Sequence, residues 1–184
     1  MKKIALIYYH PLTSVDGATK VIKSFVDNEK ILNKNGIAID VYAPTHYSGV
    51  EYDEKKTSGR AIHKLKNFIF KLDFTGELRM MYNLYIRCKR AVKLYDNRDP
   101  QKEYDAIFVH DLLTCYNYIK KGEGKPVLLV MHTTGDLLSM TLTYFPLLRY
   151  TLFYNIVIKK ALKTVLNKVD RIVFNSKMAA DNFY

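Results

Sequence analysis

Short continuous apolar runs alternate along this chain with longer stretches whose apolar residues recur every three or four positions. Lys3 to Tyr8, KIALIY, is the first such run; with Pro11 just beyond it, it predicts a buried strand. A polar loop, HPLTSVDG, follows. Ala18, Val21, Ile22, Phe25, Val26 and Leu32 then fall at helical spacing, and Gly36 predicts the residue just past that helix's C-cap. Ile37 to Tyr42, IAIDVY, predicts a second strand, which Pro44 ends. Strand, helix and strand in about 40 residues have the size of a βαβ unit.

The stretch from about Thr45 to Pro100 begins as a polar loop and becomes helical. AIHKLKNFIFKL and ELRMMYNLYIRCKRAVKLY both place apolar residues at helical intervals with lysine and arginine between them. The first pattern then returns. Asp105 to His110, DAIFVH, predicts a strand, Leu112 to Lys121 a short helix, and Pro126 to Met131 another strand. Pro146 to Lys168 predicts one long helix with proline in its first turn, where proline is tolerated. Arg171 to Asn175, RIVFN, predicts a last strand, and Ser176 an N-cap for the helix that KMAADNFY begins.

Strands with continuous apolar runs are those buried on both faces. Strands separated by helices imply a parallel sheet with crossover connections. The expected fold is therefore α/β, a doubly wound, Rossmann-like three-layer domain with a mostly parallel sheet, spanning residues 1–184 as one domain. A basic helical segment is expected at about 55–98. The last helix is cut within a turn or two of its start, which reads as the first part of a longer protein or a truncated piece of one.

Composition changes this picture in a few places. A chain of 184 residues can bury a core, and its hydrophobic content sets disorder aside. Cys88 and Cys115 have neither metal-ligand nor disulfide spacing, so a reduced, cytoplasmic chain is expected. MKKIALIYYHP has too short an apolar run for a signal peptide. Tyr144 to Ile158 is the most apolar long stretch, but Pro146, Arg149 and Asn155 interrupt it, and it falls short of the roughly 20 residues that span a bilayer.

The net charge of +11 suggests an anionic partner. Solubilising surface lysines are the plain alternative, and composition does not separate the two. Between Glu51 and Arg98, twelve Lys or Arg stand against six Asp or Glu, so this segment supplies about half of the excess. Basic amphipathic helices such as HKLKNFIFKL and RCKRAVKLY suit a peripheral contact at the inner face of an anionic membrane. They equally suit a solvated helix face over an ordinary core, and Phe68, Ile69 and Phe70 read as core.

Ligands of open parallel sheets bind outside the carboxyl ends of the strands. Three such ends carry imidazoles. The first strand ends in Tyr9 and His10, before the loop to Gly17. The middle strand ends in His110 and Asp111. The next ends in His132, Thr133, Thr134, Gly135 and Asp136. A lone strand-end histidine is more often a packed residue than a catalyst. His132 stands out because small residues follow it and leave room for a ligand. Asp111 and Asp136 are each suited to cap the helix that follows, and Cys115 reads as helix packing. Gly17 precedes a helix whose unpaired amides suit a phosphate, although Asp16 also fits there as an N-cap. Neither GxGxxG nor GxxxxGK[ST] occurs, so no dinucleotide fingerprint and no P-loop is present. No resident cofactor and no metal is expected.

The segments KIALIYYHPLTSVDGATKVI, NGIAIDVYAP, YDAIFVHDL, KPVLLVMHTTGD and VDRIVFNSKMAADNF, in this order and spacing, resemble the N-terminal domain of glycosyltransferases of the GT-B fold, in particular the retaining family four enzymes. The resemblance covers nearly the whole chain and makes it one half of a GT-B fold, the acceptor side. It implies that Gly17 is the glycine whose amide approaches the donor diphosphate, and that His132 faces the transferred sugar at the reaction centre. It implies that Tyr9 and His10 lie in the loop lining the acceptor site, with His110, Asp111 and Thr133 also facing the cleft. The family often has two adjacent glycines where this chain has Asp16 and Gly17, and a carboxylate there disfavours phosphate.

In such enzymes a second domain binds most of the nucleotide-sugar and carries paired glutamates in an ExxxxxxxE motif. Residues 1–184 are expected not to include that domain and so to be inactive alone, or nearly so, because the departing diphosphate needs cationic groups placed in advance. The expected partners are a nucleotide-sugar donor, as substrate, and a glycan or lipid acceptor, as in polysaccharide biosynthesis; no nucleic acid is expected. The competing reading is a non-catalytic basic module on an anionic membrane surface or nucleic acid, whose affinity would fall steeply with salt. It leaves the strand-end histidines without a role.

Overall fold

The computed structural model describes residues 1–13, 17–44, 73–132 and 138–183. Strands β1 (Lys2–Ile7), β2 (Ile37–Tyr42), β3 (Ala106–Val109), β4 (Val127–Met131) and β5 (Arg171–Phe174) form one sheet in the order β2-β1-β3-β4-β5. All neighbouring pairs are parallel. Each strand begins and ends within one residue of where the apolar runs place it, and the fold is the expected α/β, Rossmann-like arrangement.

The chain leaves β1 towards β2 on one side and returns to β3 on the other. That reversal between β1 and β3 is a topological switch point, where the connections diverge and leave a crevice at the carboxyl ends.

The continuous apolar runs are explained by cover on both faces near the sheet centre. Along β1 successive side chains point to opposite sides. Ala5 and Ile7 join a large core with α3 (Asp73–Asp96), α4 (Leu112–Ile119) and α6 (Lys159–Lys168). Leu6 and Tyr8 join a smaller core with Ile22 of α1 (Gly17–Asp27). Cover thins towards β5: Leu128 and Val130 of β4 are half-buried, and Val173 of β5 is 42% exposed.

Two predicted helices are divided. The first becomes α1 and α2 (Glu29–Lys34) around Asn28, at φ −102° and ψ 21°, whose amide side chain donates to Ser24 O at 2.8 Å. Gly36 follows α2 at φ +75°, a conformation that glycine adopts without the clash a Cβ brings.

A short helix, α5 (Ser139–Tyr144), comes first, and the expected single helix over 146–168 is instead a 3₁₀ turn at Pro146–Tyr150 and a helix that passes through a π turn at Tyr154–Ile158 into α6. Thr151 makes the break. Its backbone is extended (φ −86°, ψ 148°), and its hydroxyl accepts from Tyr154 N at 3.0 Å and donates to Leu148 O at 2.7 Å. Thr151 is thus an N-cap inside an otherwise apolar run. The short α7 (Lys177–Asp181) has Ser176 as its N-cap, accepting from Ala179 N at 3.1 Å.

Of the expected basic segment, residues 73–98 are described and form α3 with its short exit; 55–72, with Phe68, Ile69 and Phe70, lie outside the described residues. Among the described residues no helix is long and apolar enough to cross a membrane.

Candidate active site

His110 is the first residue after β3 and His132 the first after β4. The two strands pair with Val109 opposite Leu129. Continuing that register puts His110 level with Val130, two positions before His132, so the pleat brings both imidazoles to the same face. Nδ1 of His110 lies 3.1 Å from Nε2 of His132, and the rings stack at 18° with centroids 5.4 Å apart. A hydrogen bond at that distance needs one ring to donate and the other to accept.

Burial, and secondarily the adjacent His132, pushes the His110 imidazole down to about 4. His110 is therefore neutral at pH 7. Its Nε2 is buried with no hydrogen-bond partner among the described residues.

Asp111 faces two ways. Its Oδ1 caps α4 by accepting from Thr114 N at 2.7 Å, and it also accepts from Cys88 Sγ of α3 at 3.4 Å. Burial pushes its carboxyl up, against the hydrogen bonds from Thr114 and Cys88. Its Oδ2 is buried and without a partner among the described residues. Burial also pushes the thiols of Cys88 and Cys115 up, so both remain protonated and packed.

The end of β1 supplies the opposite wall. Tyr8 is buried, and its hydroxyl lies 3.3 Å from that of the fully buried Thr19, which fixes the start of α1 beside β1. Gly17 is the first residue of that helix, and no acidic residue lies in its first turn. Tyr9 and His10 follow β1, their rings meeting edge-on with centroids 5.3 Å apart. Tyr8 meets His110 edge-on at 6.1 Å.

These residues share one cleft of about 600 Å³, within the usual range for small-molecule sites. Tyr9, His10, Gly17, His110, Asp111 and His132 all line it. Thr133, Asp16 and Asp136 lie outside the described residues. The remaining wall was not legible as a site in the sequence. Met81 and Leu84 of α3 enter it, with Leu138, Thr141 and Ile158 from the chain after β4 and Asn175 from the end of β5. The helical spacing of Met81 and Leu84 marks them as inward-facing, but only the placement of α3 makes them cleft wall. Asn175 could have been found by the strand-end rule that singled out the histidines.

Chemically, the cleft offers imidazole nitrogens and a carboxyl group on one side, a helix N-terminus on another and an apolar floor. That suits a polar, neutral or anionic ligand carrying hydroxyl groups. Among the described residues no group of three or more His, Cys, Asp or Glu is placed to hold a metal ion.

A family model described as Glycosyltransferase Family 4 matches residues 17–183. No curated protein and no solved structure matches the chain.

Proposed function

The chain belongs to Glycosyltransferase Family 4, and on that premise we propose that its cleft is the acceptor side of a site moving a sugar from a nucleotide-sugar to a glycan or lipid hydroxyl. The observation that carries this reading is the convergence of His110, His132 and Gly17 on one cleft at the switch point of the sheet.

In this reading His132 faces the transferred sugar. The contact with His110 leaves one defined ring orientation, so the imidazole meets a sugar hydroxyl without having to reorganise. Gly17 opens α1, an 11-residue helix whose free amides and positive dipole end favour the diphosphate that departs. Tyr9 and His10 offer an aromatic face and a nitrogen to the acceptor. The proposal leaves most nucleotide contacts to a second domain of the enzyme and needs no resident cofactor.

The test is sugar transfer by the enzyme with both halves present, assayed across nucleotide-sugars and across glycan and lipid acceptors. Transfer that survives undiminished when His132 and Gly17 are replaced together would overturn the assignment of this cleft.

A further inference from the structure

The chain between β4 and β5 combines two properties. No aspartate or glutamate occurs between Asp136 and Asp170, while Arg149, Lys159, Lys160, Lys163 and Lys168 all fall there. The same stretch leaves large apolar side chains in solvent: Tyr150 is 71% exposed, Leu152 78% and Ile156 62%.

These side chains form two aligned pairs on either side of Thr151. Leu147 and Tyr150 are three apart in a 3₁₀ turn and so lie above one another. Leu152 and Ile156 are four apart in the helix that follows, on one face. Glu77 of α3 accepts from Leu147 N at 3.0 Å, and Met80, one turn further along α3 and 58% exposed, extends the apolar surface.

The cations come next along the same helix. Lys160 and Lys163 continue the stripe of Ile156 at helical spacing, and Lys159 lies over the Tyr154 ring at 5.6 Å. The apolar residues thus occupy the first turns and the ammonium groups the turns behind them. Ile158, between the two groups, lines the cleft.

We propose that this surface, Leu147 to Lys163 with Met80, docks on an anionic phospholipid bilayer, its apolar turns entering the headgroup layer and its lysines meeting the lipid phosphates. An apolar patch backed by several cations, with Glu77 as one carboxylate at its edge, carries a net positive charge that matches an anionic interface. A second folded partner would be expected to offer carboxylates at fixed points, whereas the lysines here follow one another along the exposed face of a helix, which suits a diffuse layer of charge. Apart from Met80, the surface lies outside the basic segment at 55–98 that the sequence singles out, and its cations are different ones. It deepens the proposed function, and its biological sense rests on that reading: docking here would hold the cleft beside membrane-borne acceptors.

Flotation with vesicles of phosphatidylcholine alone, and of phosphatidylcholine with roughly one quarter phosphatidylglycerol, tests this directly. The expected result is partition onto the phosphatidylglycerol vesicles only. The paired substitution Leu152→Ser and Ile156→Ser should lower that partition by roughly tenfold or more. Replacing Lys159, Lys160 and Lys163 by Gln should do so to a similar degree. All five side chains are exposed, so melting curves should remain those of the parent. Equal partition onto both vesicle types, or partition that neither variant lowers, overturns the proposal. So does a chain that ignores vesicles but self-associates through Leu152 and Ile156, which would assign the patch to a second copy. None of these readouts requires sugar transfer, so failure here leaves the role of His132 standing, and failure there leaves this surface standing.

Discussion

His110 and His132 stack at 18° with Nδ1 and Nε2 3.1 Å apart, although 22 residues separate them in the chain. The pair links a buried ring to one that reaches the cleft, and it makes the behaviour of each depend on the other.

In the enzyme with both halves present, His132→Ala should lower turnover by roughly 100-fold or more while leaving the melting temperature within a few degrees of the parent. That is the range expected when a positioned acid–base or polar group is removed from a reaction centre. Steady-state transfer assays together with circular dichroism melts check both halves of the statement.

His110 predicts a pH dependence of stability. Its folded value near 4 lies below the ordinary 6.5, so the unfolded chain binds more protons between those values. Stability conferred by the neutral, buried ring is complete above about pH 6.5 and falls as the pH drops towards 4, by up to about 3 kcal/mol. Asp111 works in the opposite direction, because its carboxyl is pushed up and favours the folded state as it protonates. Urea melts of the parent and of His110→Gln from pH 7 to pH 4 isolate the histidine contribution. The difference between the two curves should change across that window and be flat above it.

Asp111→Ala should destabilise the domain by roughly 1–2 kcal/mol, since the Thr114 amide loses its cap. Asp111→Asn retains an oxygen for that amide and brings no buried charge, so it should cost clearly less. Denaturant midpoints of the two variants check the ordering; an equal loss would remove the cap as the cause.

Gly36→Ala should cost roughly 1–2 kcal/mol, because a Cβ at φ +75° strains the backbone. No atom lies within 4 Å of where that Cβ would sit, so crowding is not involved. Gly36→Asn should cost less, as asparagine tolerates the left-handed region. Thermal melts of both variants test the distinction.

Leu129 and Ile107 sit fully buried at the centre of the sheet. Either one replaced by Ala should cost about 2–5 kcal/mol by loss of transfer energy and by the cavity left behind. The exposed Val173→Ala should cost far less. A chemical denaturation series comparing the three checks that the core lies at β3 and β4 and thins at β5.

The sequence alone determined what depends on near neighbours. The five strands, their order between helices, the caps at Asp111 and Ser176 and the turn at Gly36 are all local. Each rests on periodicity or on a hydrogen bond within three or four residues. The strand-end rule also brought His10, His110 and His132 to notice, since a strand's carboxyl end is legible from its apolar run. Local pattern failed at Thr151, where helix-forming neighbours on both sides hid an extended residue capped by its own hydroxyl.

Only the tertiary structure decided which strand ends meet. The order β2-β1-β3-β4-β5 makes β3 and β4 neighbours, and the register of Val109 against Leu129 then turns His110 and His132 to the same face. Placement of α3 set Cys88 against Asp111 and made Met81 and Leu84 a cleft wall rather than plain core. Leu152 and Ile156, apolar in the sequence, face solvent, which the local pattern does not show. Hydrophobicity specifies that a residue gains by burial, but the cover available to it is set by which elements the chain brings alongside.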